Sequence, residues 1–415
     1  MSRGLFSVLY VTGIWLEAVT LQLLLVLSLK RAVPENVADL YGRRSYARWK
    51  DCRRDLSLFS IFHFTFEYVV FTVFLLTDVH RVFARTGFFG SFLLRGAGSG
   101  LLAFYPLLIP ACRIMIKNKY GQSQQDAGRY IRKGLLAFAA SFVLCIILDV
   151  LITPRSANPS SGFTVTWPMM AVACLVFLSV RYRLRAARQY NSCVAVRDRD
   201  LSDRLHGLAR QCGVDNIEFH EGLYDSGHMR ATVYWLFHRN IVAFSPSLLR
   251  NLETDAVCAV AAHEIGHAGL RHLTHRILLI ILCTCGTVFL VWSFFDLLPR
   301  IPFLPDLTWT FHEIIMLLEF FVVFPVCIMI KNRIFQLEEL HADAYAVKAG
   351  FGKESVIALK RIEKETIAEL NPHPLLQLLT STHPSLTRRL DNIDNLLNTV
   401  DQSGTDSKAE SFMIN

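Results

Sequence analysis

The chain has 415 residues, of which 52% are hydrophobic and only 19% charged, and its formal net charge is +8. Mean hydropathy is +0.35. That balance excludes an ordinary soluble enzyme and points to a polytopic membrane protein.

Seven apolar runs follow in chain order, at about 8–29, 56–77, 89–112, 134–153, 165–181, 277–299 and 308–330. Most are near the ~20 residues that cross a bilayer. The first is too long for a signal peptide, contains Glu17 and is followed by Lys30-Arg31 rather than a small-residue cleavage site. It reads as a retained span. Positive charge alternates between the connecting segments. Lys30, Arg31, Arg43, Arg44, Arg48, Lys50, Arg53 and Arg54 lie between runs one and two. Arg113, Lys117, Lys119, Arg129, Arg132 and Lys133 lie between runs three and four, and Arg181, Arg183, Arg185 and Arg188 follow run five. The other segments hold only Arg81 and Arg85, Arg155, or Arg300. The positive-inside rule then predicts a lumenal N-terminus and a cytosolic C-terminus. The same juxtamembrane excess accounts for the net charge without nucleic acid. Six ionisable residues within the runs (His63, Glu67, Arg95, Asp149, Glu313 and Glu319) point to an internal aqueous space. The ten cysteines form no CxxC pair, which argues against a disulfide framework or a cysteine metal site.

Between runs five and six, residues Leu201 to Ala209 read as a helix. Residues Ala231 to Phe237 and Asn240 to Phe244 read as the strands of a hairpin. An open hairpin edge could hold an extended peptide by strand addition, although a purely structural hairpin fits the pattern as well.

His263-Glu264-Ile265-Gly266-His267 is an HExxH. Two histidines four apart on a helix point from one face and can hold one Zn²⁺, and the glutamate between them can serve as general base toward water. The stretch Ala256 to Ala262 before it is small and apolar, as suits a buried helix, and Gly266 leaves room for a neighbouring element. A third ligand is expected from the segment Leu337 to Ala346. Glu339 and Asp343, four apart, share a face, so Glu339 can ligate while Asp343 orients a ligating imidazole. Glu338 sits off that face. His272, His275 and His341 compete as ligands and read as ordinary polar residues. His263 and His267 precede run six and Glu339 follows run seven, so the two intervening spans return all three to one side of the membrane. Farther on, His383-Pro384 and Arg389 are candidates for oxyanion stabilisation or for gripping a substrate carboxylate, or simply a helix start.

Together these residues resemble the integral-membrane CAAX prenyl protease 1 family, zinc endopeptidases of the endoplasmic reticulum and inner nuclear membrane. The resemblance rests on Ile241 to Leu249 leading into His263–His267 and His272, on Glu339 to Ala344, on His383-Pro384 with Arg389, on Tyr46 to Ser60, and on the seven-run layout. It implies one Zn²⁺ per chain, spans that enclose a water-filled chamber, and a catalytic side facing the cytosol. It also implies removal of the last three residues from prenylated CAAX-protein C-termini, with membrane lipid as the other partner and no nucleic acid. Two departures bear on substrate preference. Met229-Arg230-Ala231 stands where the family shows Ser-Asn-Ala on its substrate strand, which makes Arg230 and Ala231 candidate substrate contacts. Phe335-Gln336 stands where many members carry Ser-Arg.

The expected architecture is predominantly α: a seven-span membrane protein with a small α/β zincin-like domain split around the last two spans. Its divisions fall at 1–181 (five spans), 182–275 (the segment with HExxH), 276–330 (spans six and seven), 331–400 (the third-ligand segment) and 401–415 (a disordered tail). Two alternatives to CAAX processing are a membrane quality-control zinc protease on unprenylated proteins and a non-proteolytic zinc-binding scaffold.

Overall fold

The structure, a computed structural model, describes residues 3–77, 108–122, 126–128, 131–132, a few positions between 180 and 190, and 190–403 with breaks at 224–226, 237–238, 298–316 and 366. The described chain is mostly helical and divides into two compact units. One comprises Met1–Leu29 with Arg43–Val165, the other Lys30–Gly42 with Thr166–Asn415.

In the first unit, α1 (Arg3–Leu29) packs along α2 (Arg43–Leu76). Trp15 and Tyr68 stack with ring centroids 4.9 Å apart, and the Trp15 indole N–H donates to Thr65 Oγ1 at 3.1 Å. The remaining faces keep Leu9, Leu16, Leu23, Phe62, Val69 and Leu76 exposed. A helix satisfies its own backbone, so such faces suit lipid. The basic segment expected as a loop before the second span is instead the first turns of α2. Arg, Ala and Lys are good helix formers, and Asp51 pairs with Arg54 one turn on at 3.2 Å. Within α2, His63 and Glu67 face each other at 3.4 Å. Of the other ionisable residues expected at membrane depth, Arg95, Asp149 and Glu313 lie outside the described residues.

The second unit holds a four-stranded sheet in the order β1 (Cys193–Ala195), β2 (Ile217–Gly222), β4 (Arg239–Phe244), β3 (Ala231–Leu236). Strands β2 and β4 are parallel and the outer pairs antiparallel. The predicted hairpin is therefore β3–β4, and β3 is an edge. The predicted helix is α3 (Arg199–Gln211), whose first turn is capped by the Asp198 side chain accepting from the Leu201 N–H. Phe219, Val242 and Phe244 on one sheet face pack with Leu205 and Leu208 of α3.

After β4, Ser245 caps a short helix α4 (Pro246–Asn251), and the chain enters α5 (Thr254–Gly269). Val257, Ala261, Ala262 and Ile265 of α5 join the same core. Small residues let α5 approach α7 (Phe324–Lys348) closely: a Cβ on Gly266 would lie 2.9 Å from Tyr345 Cβ and 3.3 Å from Ala342 Cα. Between them, α6 (His272–Leu297) leaves α5 at a 50° bend. A π-helical turn, Glu319–Val323, leads without interruption into α7, so the last apolar run and the third-ligand segment are one helix. Helices α8 (Gly352–Glu365), α9 (Pro374–Thr380) and α10 (Leu386–Ser403) complete the unit.

Residues 30–42 pack onto these last helices. Val37 is fully buried, Asn36 donates to Asp391 Oδ1 at 2.8 Å, and the Tyr41 hydroxyl donates to Glu363 O at 3.0 Å while accepting from Ala368 N–H at 3.2 Å.

Among the described residues, three helices are long and apolar enough to cross a membrane: Val8–Leu29, Arg43–Val73 and Glu319–Lys348. The bent pair of α5 and α6 makes a fourth if it is counted as one span. Run 134–153, all of run 165–181 but residue 180, most of run 89–112 and residues 308–316 of the last run lie outside the described residues.

Candidate metal centre

Helix α5 carries His263 and His267 one turn apart, and α7 brings Glu339 beside them. The three side chains converge as a triangle, with each carboxylate oxygen of Glu339 facing one imidazole. His263 Nε2 and His267 Nε2 are 3.2 Å apart, Glu339 Oε2 is 3.6 Å from the first, and Glu339 Oε1 is 3.4 Å from the second. Two ligands on a tetrahedral zinc with bonds of 2.0–2.1 Å are about 3.3–3.5 Å apart. Two imidazoles and a carboxylate at this spacing fit such an ion with a fourth position left over. This is the group of ligand-type side chains that converges among the described residues.

The outer nitrogen of each imidazole is also engaged, as metal-ligating histidines require. His263 Nδ1 lies 2.9 Å from Asp343 Oδ1. Asp343 is itself held by Arg389, whose Nη2 donates to Oδ1 at 2.6 Å and whose Nε donates to Oδ2 at 2.8 Å. Burial works against the Arg389 charge, but the Asp343 carboxylate more than offsets it and holds the guanidinium above its ordinary range. Glu339 has its own donors: Arg276 Nη2 at 3.0 Å on Oε1 and His383 Nδ1 at 3.0 Å on Oε2.

Glu264 points across to the edge strand, where its Oε2 accepts from the Val233 N–H at 2.9 Å. Arg230 O, just before β3, accepts from Ser245 N–H, so residues 230, 232 and 234 turn their backbone groups to β4. The antiparallel alternation turns the backbone of Ala231, Val233 and Trp235 to the open edge beside α5. Arg230 and Ala231 thus stand at the start of that edge. The preceding Met229 buries its side chain in the core and donates its N–H to Glu365 Oε2 at 2.6 Å.

The sequence-predicted residues thus separate by place. His263, His267, Glu339, Asp343 and Glu264 converge. His383 reaches Glu339 while its side chain stays 63% exposed, and Arg389 lies behind Asp343. Glu338 turns away from the triangle to pair with Arg276. His341 stays outside it, its ring 6.4 Å from that of His272. His272, read from sequence as an ordinary polar residue, touches His267 through ring nitrogens 2.8 Å apart. Arg276 had no local signal, because its partners are more than sixty residues away.

The Phe335-Gln336 departure has a structural role here. The Phe335 ring seats the Arg276 guanidinium at 4.6 Å. Buried Gln336 donates to Gln377 O and Ser381 O at 3.3 and 3.0 Å, and Asn332 donates to Leu378 O at 2.7 Å. These bonds hold the end of α9 and the turn into His383. Glu363 lies within the electrostatic reach of Arg389 and His383; burial nonetheless pushes its carboxyl above the usual range.

Residues 195–397 match the model of peptidase family M48. The chain is 26% identical over 293 residues to a CAAX prenyl protease 1 homolog of Arabidopsis thaliana, covering 68% of this chain and 67% of that one. It is 28% identical over 229 residues to CAAX prenyl protease 1 of Saccharomyces cerevisiae, covering 49% and 50%. A homolog from Caenorhabditis elegans is 20% identical over 417 residues, covering 86% and 89%. The fold matches the crystal structure of S. mikatae Ste24p with a TM-score of 0.61 at 20% identity, over 95% of this chain and 99% of that one. Together with the apolar helices and the histidine–glutamate cluster, these likenesses support the CAAX prenyl protease family and a membrane metalloprotease.

Proposed function

We propose that the chain is a zinc endopeptidase that removes the C-terminal tripeptide from prenylated CAAX proteins, working from the cytosolic side of the endoplasmic reticulum membrane as a seven-span protein. The proposal extends to the inner nuclear membrane and to a catalytic domain divided around spans six and seven. The observation that carries it is the ligand triangle of His263, His267 and Glu339 beside the open edge of β3.

His263, His267 and Glu339 would hold the ion. Zinc, when bound, supplies the Lewis acidity that polarises a peptide carbonyl and makes water a nucleophile near neutral pH. Glu264 takes the proton of the attacking water and passes it to the leaving amine. The Val233 N–H fixes one oxygen of that carboxylate, so the other is free to turn toward the water. An extended substrate adds to β3 as a further strand, which brings its backbone past Glu264. Asp343 orients His263, and Arg389 acts through Asp343. His383, whose side chain is largely exposed, would donate to the developing oxyanion. Arg230 and Ala231 flank the incoming peptide.

A farnesylated CAAX peptide and its unprenylated counterpart, incubated separately with the purified protein and analysed by mass spectrometry, test this reading. Tripeptide release from the farnesylated peptide alone supports it. Equal cleavage of both points to quality control, and zinc binding without cleavage of either points to a non-proteolytic scaffold.

A further inference from the structure

Helix α5 does not simply stop after His267. Its last residue is Gly269, and Arg271 takes a left-handed φ of 53°, the one positive φ outside glycine among the described residues. Non-glycine residues adopt this conformation at a steric cost, and such strain tends to persist where the surrounding structure requires it. Here the turn launches α6 at a 50° angle to α5 and directs its first residues back toward the ligand triangle. His272 and Arg276, one turn apart on α6, therefore share a face. Each reaches a different member of the triangle: His272 meets His267, and Arg276 meets Glu339.

The His267–His272 contact can be resolved by counting protons. The two Nδ1 atoms are 2.8 Å apart and His272 is only 4% exposed, so one nitrogen must donate and the other accept. His267 turns Nε2 toward the triangle, where it has to present a lone pair to a metal. Its proton therefore sits on Nδ1, and His272 Nδ1 is the acceptor. His272 keeps its own proton on Nε2. The two imidazole ligands thus have unequal supports: an anionic carboxylate behind His263 and a neutral imidazole behind His267.

We propose that His272 is a positioning residue of the metal site, the acceptor that fixes the ring and tautomer of His267. The inference rests on the metal-site reading above. It assigns His272 no contact with substrate.

Zinc affinity of the full-length protein, measured by chelator competition, tests the assignment. Removing an outer partner of a ligating histidine costs ~10–100-fold in metal affinity. His272→Ala should weaken zinc binding by that factor. His272→Gln, whose side-chain carbonyl can accept the same hydrogen bond, should recover most of it. His272→Asp should bind at least as tightly as the native chain, because a carboxylate makes His267 a stronger donor. The visible absorption of the cobalt-loaded protein should change for the alanine variant and return with glutamine. A merely structural role would lower the melting temperature of the zinc-free protein and leave zinc affinity and the cobalt spectrum unchanged, and that result overturns the assignment. If the alanine variant does not fold, glutamine and aspartate decide: a tenfold loss of affinity in both overturns it as well. Native protein that binds no zinc would instead remove the metal reading itself.

Discussion

Arg389 holds Asp343 with two hydrogen bonds, of 2.6 and 2.8 Å; the Asp343 side chain is buried and that of Arg389 is 16% exposed. The same carboxylate accepts from His263, so one residue is shared between an ion pair and the ligand triangle. Asp343→Ala should therefore fail twice. It leaves the largely buried Arg389 guanidinium without its carboxylate partner, which costs up to about 3–5 kcal/mol. It also frees the ring of His263, which costs ~10–100-fold in zinc affinity. Thermal unfolding of the zinc-free protein and chelator competition separate the two. Asp343→Asn keeps an acceptor for His263, so it should retain more zinc affinity than the alanine variant.

Gly266 sits where α5 touches α7. Alanine there would gain about 1 kcal/mol of helix propensity. Its methyl group would meet Tyr345 Cβ at 2.9 Å and the Ala342 backbone at 3.3 Å, neither of which is the end of a flexible side chain. Overpacking of this kind costs about 1–3 kcal/mol. Gly266→Ala is thus expected to be net destabilising. It should also weaken zinc binding, since the two helices it parts carry the three ligands. A variant as stable as the native protein would mean that α7 can shift freely.

Glu363 gives a pH-dependent prediction. Burial raises its pKa in the folded state, against the pull of Arg389 and His383. The folded protein then holds the proton more tightly than the unfolded chain. The stability from that proton is complete below the unfolded pKa and is lost as pH rises through the folded value. Glu363→Gln, which mimics the protonated form, should match the native protein near pH ~4 and exceed it in melting temperature near pH ~7. Parallel melting curves across that range would contradict this.

The readable parts of this chain are those with local periodicity. His263 with His267, and Glu339 with Asp343, are each four apart on one helix, so sequence alone aligns them. Strands β3 and β4 announce themselves by β-branched and aromatic residues around a short turn. Strand β2 does not: its IEFHEG sequence mixes a buried face with Glu218 and Glu221, and its partner is a parallel strand reached through a crossover. His272 was hidden by the kink at Arg271, which breaks the helical spacing that would have linked it to His267. The packing of residues 30–42 on the C-terminal helices was hidden for another reason. Contacts such as Asn36 with Asp391 join residues separated by 355 positions, and no local pattern marks them. The Phe335-Gln336 departure from the family pattern was visible as letters, but its role in holding Arg276 and the turn into His383 exists only in three dimensions.

As a metal-dependent peptidase, the chain would depend on Glu264 as its base. The most direct measurement pairs zinc content with turnover of a farnesylated CAAX peptide, for the native protein and for Glu264→Gln. A general base contributes about 10²–10⁴-fold in rate. About one zinc per chain is expected in both proteins, with turnover by the native protein and at least a ~100-fold loss in the variant. Native turnover undiminished by Glu264→Gln or by removal of the metal would contradict that expectation.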